Sequence, residues 1–164
     1  MAEVSKQNIG NAGEYYLASR LSAENFITTM TLGRTERYDI LAINPRGKTI
    51  KISAKTRIKE TAYDFPLSAK DELMASSDFY YAFIKLNEFN KEPDFWIIPS
   101  KVVAQLIKEA QKKWMEKPGR RNQQHKETTL RVLAVSIPET QKYLYPKNWE
   151  NEIKKYYKNL EQLK

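Results

Sequence analysis

The sequence predicts an α/β or α+β domain built around a mixed β-sheet. Along its 164 residues, stretches with apolar residues at helical spacing alternate with short apolar runs that are bounded by Gly, Pro and Asn. The predicted order is helix, three strands, helix, two strands, helix, strand and helix, which is typical of a sheet with helices packed on it. Because the chain is long enough to bury a core and shows neither a repeat nor a linker, we expect a single domain over residues 1–164.

The N-terminal part of the chain contains the clearest element signals. We predict a helix over residues 7–23, with Asn11 as a cap and Glu14 in the capping-box position. A strand over residues 26–32 is predicted from its β-branched residues. Residues 38–56 predict a β-hairpin, because two apolar-rich runs flank a Pro/Gly turn.

The rest of the chain alternates in the same way. We interpret residues 59–68 as a loop because they are mostly polar and include Pro66. The remaining elements follow from capping residues, apolar runs and helical spacing: a short helix over 68–76, a buried strand over 79–86, a strand over 95–98, a helix over 101–110, a basic loop over 117–127, a strand over 130–135 and a terminal helix over 149–163.

Composition excludes several kinds of site. The chain has no cysteine and one histidine, His125, so disulfides, cysteine nucleophiles and multi-histidine metal sites within one chain are excluded. We expect the isolated His125 to be a solvated loop residue. The first residues lack the apolar segment of a signal peptide, and no apolar run is long enough to cross a membrane, so we expect a cytoplasmic protein without a membrane partner.

The charge distribution predicts a polyanionic partner. The net charge is +8, and all of the excess lies in residues 101–164, because residues 1–100 hold 13 basic and 13 acidic residues. Such asymmetry favours nucleic acid, for which we expect DNA, although an ordinary solvated basic surface is the alternative. Trp114, inside the basic stretch, either stacks on a base or packs in the core. The candidate nucleic-acid-binding residues are Lys112, Lys113, Lys117, Arg120, Arg121 and Lys126.

An acid and a base are predicted to meet at one end of the 38–56 hairpin. Asp39 opens its first strand and Lys55 closes its second, so chain reversal brings them together. Strand alternation also places Ser53 on the same face as Lys55. A carboxylate that binds Mg²⁺ beside a lysine is suited to phosphodiester hydrolysis. The alternative is structural: an aspartate that ends a turn, and a strand lysine that discourages edge-to-edge aggregation.

Three short motifs occur in order along the chain: Gly13-Glu14 in a helix, Asp39-Ile40-Leu41-Ala42 at the start of a strand, and Ile52-Ser53-Ala54-Lys55-Thr56. Together they resemble the PD-(D/E)XK, or restriction-endonuclease-like, nuclease superfamily. The resemblance extends over roughly residues 8–100, including Phe95-Trp96-Ile97-Ile98-Pro99-Ser100. It implies an α/β fold with a central mixed β-sheet flanked by helices, and a Mg²⁺-dependent endonuclease that hydrolyses DNA.

The resemblance also implies roles for individual residues. Asp39 would be the metal-binding aspartate and Lys55 the catalytic lysine. Glu14 would assist the metal from the helix, and the backbone carbonyl of Ala54 would be a further ligand. Glu14 also has a structural interpretation, since an acid in the first turn of a helix is stabilised by the helix dipole and by capping.

Ser53 departs from the superfamily pattern, which usually has Glu, Asp or Gln at this position. A neutral hydroxyl is a poor Mg²⁺ ligand. Three explanations stay open: Glu14 compensates, a carboxylate such as that of Glu72 has moved into the site, or the site is inactive. The last would make the protein a nucleic-acid-binding or protein-interaction module on the same fold. The oligomeric state, a homodimer included, also stays open.

Overall fold

The computed structural model describes residues 4–31, 37–119 and 122–164. Within these ranges lie three α-helices: α1 (Lys6–Ala23), α2 (Ser100–Glu116) and α3 (Trp149–Lys154). The strands are β1 (Ile27–Met30), β2 (Ile40–Ile43), β3 (Thr49–Arg57), β4 (Asp64–Ser68), β5 (Phe79–Lys85), β6 (Asp94–Pro99) and β7 (Leu130–Ala134). Short 3-10 helices lie at Ala69–Leu73, Asn87–Phe89, Glu139–Leu144 and Glu161–Leu163. None of the described helices is long and apolar enough to span a membrane.

Five strands form the central sheet in the order β1-β2-β3-β5-β6. Strand β3 pairs with β5 in parallel and with β2 antiparallel, so the sheet is mixed. Helix α1 packs on one face, where Leu17 and Leu21 contact Ile40 and Ile52. Helices α2 and α3 cover the other face, together with the two-stranded sheet β4-β7. The predicted α/β class, with a central mixed sheet flanked by helices, is therefore confirmed.

The hairpin predicted over residues 38–56 forms as β2 and β3, which pair from Ile40 opposite Ile52 to Ile43 opposite Thr49. Its turn is held by Asn44, whose side-chain oxygen accepts hydrogen bonds from the backbone N–H groups of residues 46 and 48 at 3.0 and 2.9 Å. Gly47 adopts φ = 81°, a conformation that residues with a Cβ rarely take. The turn sequence therefore sets the register that brings residue 39 opposite the middle of β3.

The interpretation of residues 59–68 as a loop was wrong. Asp64–Ser68 is strand β4, which pairs antiparallel with β7. Phe65 and Leu67 alternate into the core, and Pro66 between them is exposed. A proline is tolerated on an edge strand, because one side of the strand makes no ladder hydrogen bonds. The proline led to the prediction of a loop, although the side chains of residues 64–68 alternate between buried and more exposed positions as in a strand.

Helix α1 begins earlier than predicted. Ser5 caps it, since its hydroxyl accepts a hydrogen bond from the N–H of Asn8 at 3.2 Å, and Asn11 lies inside the helix. Strand β1 is shorter than the predicted 26–32, and Leu32 lies outside the described residues. Helix α2 extends beyond the predicted residue 110 to Glu116.

The short helix predicted over residues 68–76 is the 3-10 helix Ala69–Leu73, and the predicted terminal helix stops early. Beyond α3 the chain turns to the edge of the central sheet. The N–H of Lys158 donates to the carbonyl of Phe95 at 2.9 Å, and Lys158 has φ = 49°. These backbone bonds to β6 replace the helical bonds that the apolar spacing had predicted.

Candidate active site

Four residues at the end of the β2-β3 hairpin form a connected hydrogen-bond network. The N–H of Ala54 donates to Asp39 Oδ2 at 2.6 Å, and the Ser53 hydroxyl donates to the same oxygen at 3.2 Å. The ammonium of Lys55 in turn donates to Ser53 Oγ at 3.1 Å. The aspartate and the lysine that the hairpin was predicted to bring together are thus joined through the serine between them.

Backbone pairing explains this geometry. The N–H of Asp39 donates to the carbonyl of Ile52 at 2.8 Å, so the aspartate sits one step beyond the first ladder pair. In a strand, the N–H and C=O of one residue point to the same side. Because the N–H of Ala54 points to Asp39, the Ala54 carbonyl is also directed toward the aspartate's side of β3.

Glu14 approaches this network from α1. Burial and the nearby Asp39 carboxylate raise the pKa of Glu14, and Lys55 lowers it by a smaller amount. Glu14 therefore lies within electrostatic reach of both residues. Since α1 starts at Lys6, Glu14 lies in the middle of the helix, and the alternative explanation of it as a capping acid is wrong.

A close contact between α1 and β3 sets the position of Glu14. A Cβ atom on the neighbouring Gly13 would lie 2.1 Å from Oγ1 of Thr56, far inside van der Waals contact. Only glycine lets the helix approach the strand this closely. The motif Gly13-Glu14 is thus explained by packing at its first residue and by electrostatics at its second.

The network opens into a cavity of about 350 Å³, hereafter the Asp39 cavity. It is lined by Arg37, Asp39, Ser53, Lys55, Ser68, Lys70, Asp71, Met74 and Tyr81. The cavity thus contains three basic side chains facing two carboxylates. Of its lining, only Asp39, Ser53 and Lys55 were sequence-predicted site residues.

Three of the missed residues of the Asp39 cavity, Ser68, Asp71 and Tyr81, form a second hydrogen-bonded group. The Tyr81 hydroxyl donates to Asp71 Oδ1 at 2.7 Å, and the N–H and hydroxyl of Ser68 donate to Asp71 Oδ2 at 2.7 and 3.0 Å. Burial and the Asp71 carboxylate raise the pKa of Tyr81, so its phenol stays protonated. The spacing Ser68–Asp71 was visible as a capping signal, but the pairing of Tyr81 opposite Ser53 depends on the parallel contact between β3 and β5.

The structure also shows which nearby carboxylates could supply the negative charge that Ser53 lacks. Glu72 does not line the Asp39 cavity, because its carboxylate is bound by the guanidinium of the buried Arg131. The neighbouring Asp71 does line it, but both of its oxygens already accept hydrogen bonds. Ser53 itself is buried, with 5 % of its surface exposed, and its hydroxyl donates to Asp39 and accepts from Lys55.

The carboxylates near the network are the groups from which a divalent metal site could be built. In the described ranges, no group of three or more Asp, Glu or His side chains is arranged around one point. Mg²⁺ is commonly bound by one or two carboxylates, with water and phosphate oxygens completing its shell. Asp39 and Glu14 could supply such a pair; burial first, and then the charge of Asp39, raise the pKa of Glu14.

Among the predicted nucleic-acid-binding residues, those that the structure describes do not line the Asp39 cavity. Lys112, Lys117 and Lys126 are exposed and Lys113 is half-buried, but none of them lines this cavity. The Lys117 ammonium lies 6.0 Å from the centre of the Tyr143 ring. Arg120 and Arg121 lie outside the described residues. The basic side chains that do line the cavity are Arg37, Lys55 and Lys70.

Neither protein-family models nor curated proteins match the sequence. Solved structures do match the fold. A bacterial homing endonuclease superposes with a TM-score of 0.51 at 13% identity, over 97% of this chain and 92% of the other. The Holliday junction resolvase Hjc from the archaeon Archaeoglobus fulgidus superposes with a TM-score of 0.47 at 16% identity, over 84% and 87% of the two chains. The homing endonuclease superposes over nearly the full length of both chains, so the two proteins share a fold.

Proposed function

We propose that the protein is a Mg²⁺-dependent endonuclease that hydrolyses DNA phosphodiester bonds at the Asp39 cavity. The observation that carries the proposal is the hydrogen-bonded series from Lys55 through Ser53 to Asp39, with Glu14 in electrostatic reach. Three of these four side chains are charged, and two of them, Asp39 and Glu14, are carboxylates whose mutual repulsion stabilises the fold in no way. The fold shared with a homing endonuclease supports the same conclusion.

Each side chain has a chemical role in this proposal. Asp39, Glu14 and the carbonyl of Ala54 would hold Mg²⁺, which when bound polarises a phosphate oxygen and acidifies a water molecule. The Lys55 ammonium stabilises negative charge that develops on the phosphate, or orients the attacking water. Ser53 holds Lys55 and Asp39 at a fixed separation, because its hydroxyl accepts from one and donates to the other.

The neutral residue at position 53 is accommodated because Glu14 supplies the second negative charge. Its carboxylate comes from α1 rather than from β3, so the pair of acids is kept although the strand provides only one of them. This assigns the compensating role to Glu14 and not to Glu72, whose carboxylate is held by Arg131.

DNA binding in this proposal uses two basic regions. Arg37 and Lys70 line the Asp39 cavity and would contact the phosphates beside the scissile bond. The basic residues from Lys112 to Lys126 would extend the contact along the backbone without reading sequence. Both contacts weaken as the salt concentration rises, because binding releases counterions from DNA.

Cleavage assays on plasmid, single-stranded DNA and RNA with Mg²⁺ or Mn²⁺ test the proposal. We expect metal-dependent cleavage of DNA, which is lost in Asp39→Ala and in Lys55→Ala although both variants still bind DNA. Cleavage that persists in either variant would refute the assignment of the site even if the protein is a nuclease.

The second candidate function is a nucleic-acid-binding module without catalysis, and Ser53 is the observation that favours it. Its hydroxyl contributes no charge to a cation, and Asp39 Oδ2 is already occupied by two donors. In that case no metal would produce cleavage of any substrate, while salt-sensitive binding would remain unchanged in Asp39→Ala.

A further inference from the structure

A second cavity, hereafter the Trp114 cavity, has a volume of about 250 Å³. It lies between the C-terminal half of α2, strand β7 and the 3-10 helix that follows this strand. The indole of Trp114 and the phenol ring of Tyr145 form aromatic walls, and Leu130 contributes an apolar one. The side chains of Asp64 and Gln111 add a carboxylate and a carboxamide to this otherwise mainly apolar lining.

The Trp114 cavity contains polar groups that a simple gap in apolar packing would not contain. The carboxamide nitrogen of Gln111 is buried and has no hydrogen-bond partner in the ranges that the structure describes. Burial and the nearby Asp64 raise the pKa of Tyr145 to about 12, so its hydroxyl is a neutral donor at physiological pH. A buried polar group without a partner is costly and calls for a ligand or a solvent molecule. Flat aromatic walls beside hydrogen-bond donors and a carboxylate acceptor match the face and the edge of a nucleobase.

The position of the Trp114 cavity connects it with the Asp39 cavity. Ser68 lines the Asp39 cavity, and its partner across the β4-β7 ladder is Leu130, which lines the Trp114 cavity. Residues paired across an antiparallel ladder lie about 5 Å apart at Cα. Successive nucleotides of one DNA strand advance by about 3.4 Å along the helix axis. The two cavities are therefore neighbours across the β4-β7 ladder, and we expect a strand bound at the first to reach the second within a few nucleotides.

The surroundings of the Trp114 cavity favour the same class of ligand. Helix α2 carries Trp114 directly after Lys112 and Lys113, and Lys117 follows one turn later. These lysines do not line the cavity, but they add positive charge on the same segment of the chain. Trp114 also stacks on His125 with ring centroids 3.7 Å apart, which restrains the orientation of the indole.

We propose that the Trp114 cavity binds an unstacked nucleobase, so that the protein binds DNA with an unpaired nucleotide more tightly than fully paired DNA. The proposal rests on the proposed binding of DNA but not on its cleavage. Trp114 supplies the stacking surface, while the Gln111, Tyr145 and Asp64 side chains form hydrogen bonds with the base edge.

Fluorescence anisotropy in EDTA tests the proposal without catalysis. Three labelled duplexes of equal length are compared: one fully paired, one with a single extrahelical nucleotide, and one with an abasic site in its place. Stacking of a base on an aromatic side chain contributes roughly 1–3 kcal/mol, which corresponds to a difference in Kd of about 5-fold or more. We expect the extrahelical nucleotide to bind at least 5-fold more tightly than the abasic site. Equal Kd values for the three duplexes would overturn the proposal.

Two variants and a control locate the effect. Trp114→Ala should abolish the preference, and Ala110→Leu should do so as well by filling the cavity from α2 with a residue that favours helix. Tyr143→Ala removes an exposed aromatic ring of the same basic region that does not line the cavity, and should leave the preference intact. A preference that survives in a folded Ala110→Leu protein refutes the site. Loss of cleavage in Asp39→Ala with an unchanged preference separates this proposal from the catalytic one.

Discussion

Replacing Ser53 by glutamate tests most sharply how the site accommodates its neutral residue. The Ser53 hydroxyl lies 3.2 Å from Asp39 Oδ2 and 3.1 Å from the Lys55 ammonium, in a side chain with 5 % of its surface exposed. A second carboxylate there meets Asp39 at about 4 Å, where two like charges repel by about 4 kcal/mol at an effective dielectric constant of 20. Because Lys55 offsets part of this repulsion, we expect Ser53→Glu to lose about 2–3 kcal/mol of unfolding free energy in EDTA.

Mg²⁺ should reverse that loss. A cation present at 100 times its Kd adds about 2.7 kcal/mol to the stability of the folded state. For a chain of this length, 1 kcal/mol shifts the melting temperature by roughly 2–4 °C. Thermal melts of Ser53→Glu should therefore rise by about 5–10 °C with Mg²⁺, more than those of the wild type.

Ser53→Gln is the matched control, since it has nearly the same shape without the charge. It should show neither the charge repulsion in EDTA nor the added stabilisation by Mg²⁺. If the glutamate and glutamine variants have equal melting temperatures in EDTA and equal shifts with Mg²⁺, the side chain at position 53 does not face a cation site, and the reasoning is refuted.

Three further predictions concern the surroundings of the site. In Gly13→Ala, the new Cβ would lie 2.1 Å from Thr56 Oγ1. Urea titration should show that the unfolding free energy falls by about 1–3 kcal/mol and is partly recovered in a Thr56→Ala background. An unchanged unfolding midpoint would contradict the close packing of α1 on β3. The raised pKa of Glu14 makes its carboxylate destabilising once the pH rises above the ordinary value of 4.5. In metal-free buffer, Glu14→Gln should therefore raise the melting temperature at pH 7 and leave it unchanged at pH 4. An equal effect at both pH values would exclude the electrostatic cause. Lys70→Ala and Lys112→Ala should each reduce the slope of log K against log salt concentration by about one, measured by DNA titrations, and a residue whose removal leaves the slope unchanged does not contact the backbone.

The parts of the site that the sequence predicted are those set by local structure. Asp39, Ser53 and Lys55 belong to one hairpin, whose register follows from its turn and from alternating apolar residues. Glu14 was proposed as a site residue from the resemblance alone. The sequence could not show that it lies in the middle of α1 rather than in a capping position, because the start of the helix at Lys6 was not predicted. Local rules thus suffice where the contacting residues are close in sequence.

The parts that were missed depend on distant pairings. Tyr81 reaches the cavity because β5 pairs in parallel with β3, a pairing for which the sequence has no local signal. Asp71 follows strand β4, which Pro66 concealed and which β7 completes from more than 60 residues away. A sequence pattern predicts one helix or strand at a time. The positions of Tyr81 and Asp71 depend instead on which strands pair, and this pairing joins segments that are distant in the sequence.

Single-turnover cleavage of DNA at varied Mg²⁺ concentration tests the central claim, that Asp39 and Glu14 hold the metal while Lys55 acts on the phosphate. In Glu14→Gln the Mg²⁺ concentration for half-maximal rate should rise by roughly 10-fold, and the maximal rate should be recovered at high Mg²⁺, because one ligand charge is lost. In Lys55→Ala the maximal rate should fall by about 100-fold or more, with the Mg²⁺ requirement unchanged. A Lys55→Ala protein that cleaves at the wild-type rate would contradict the account.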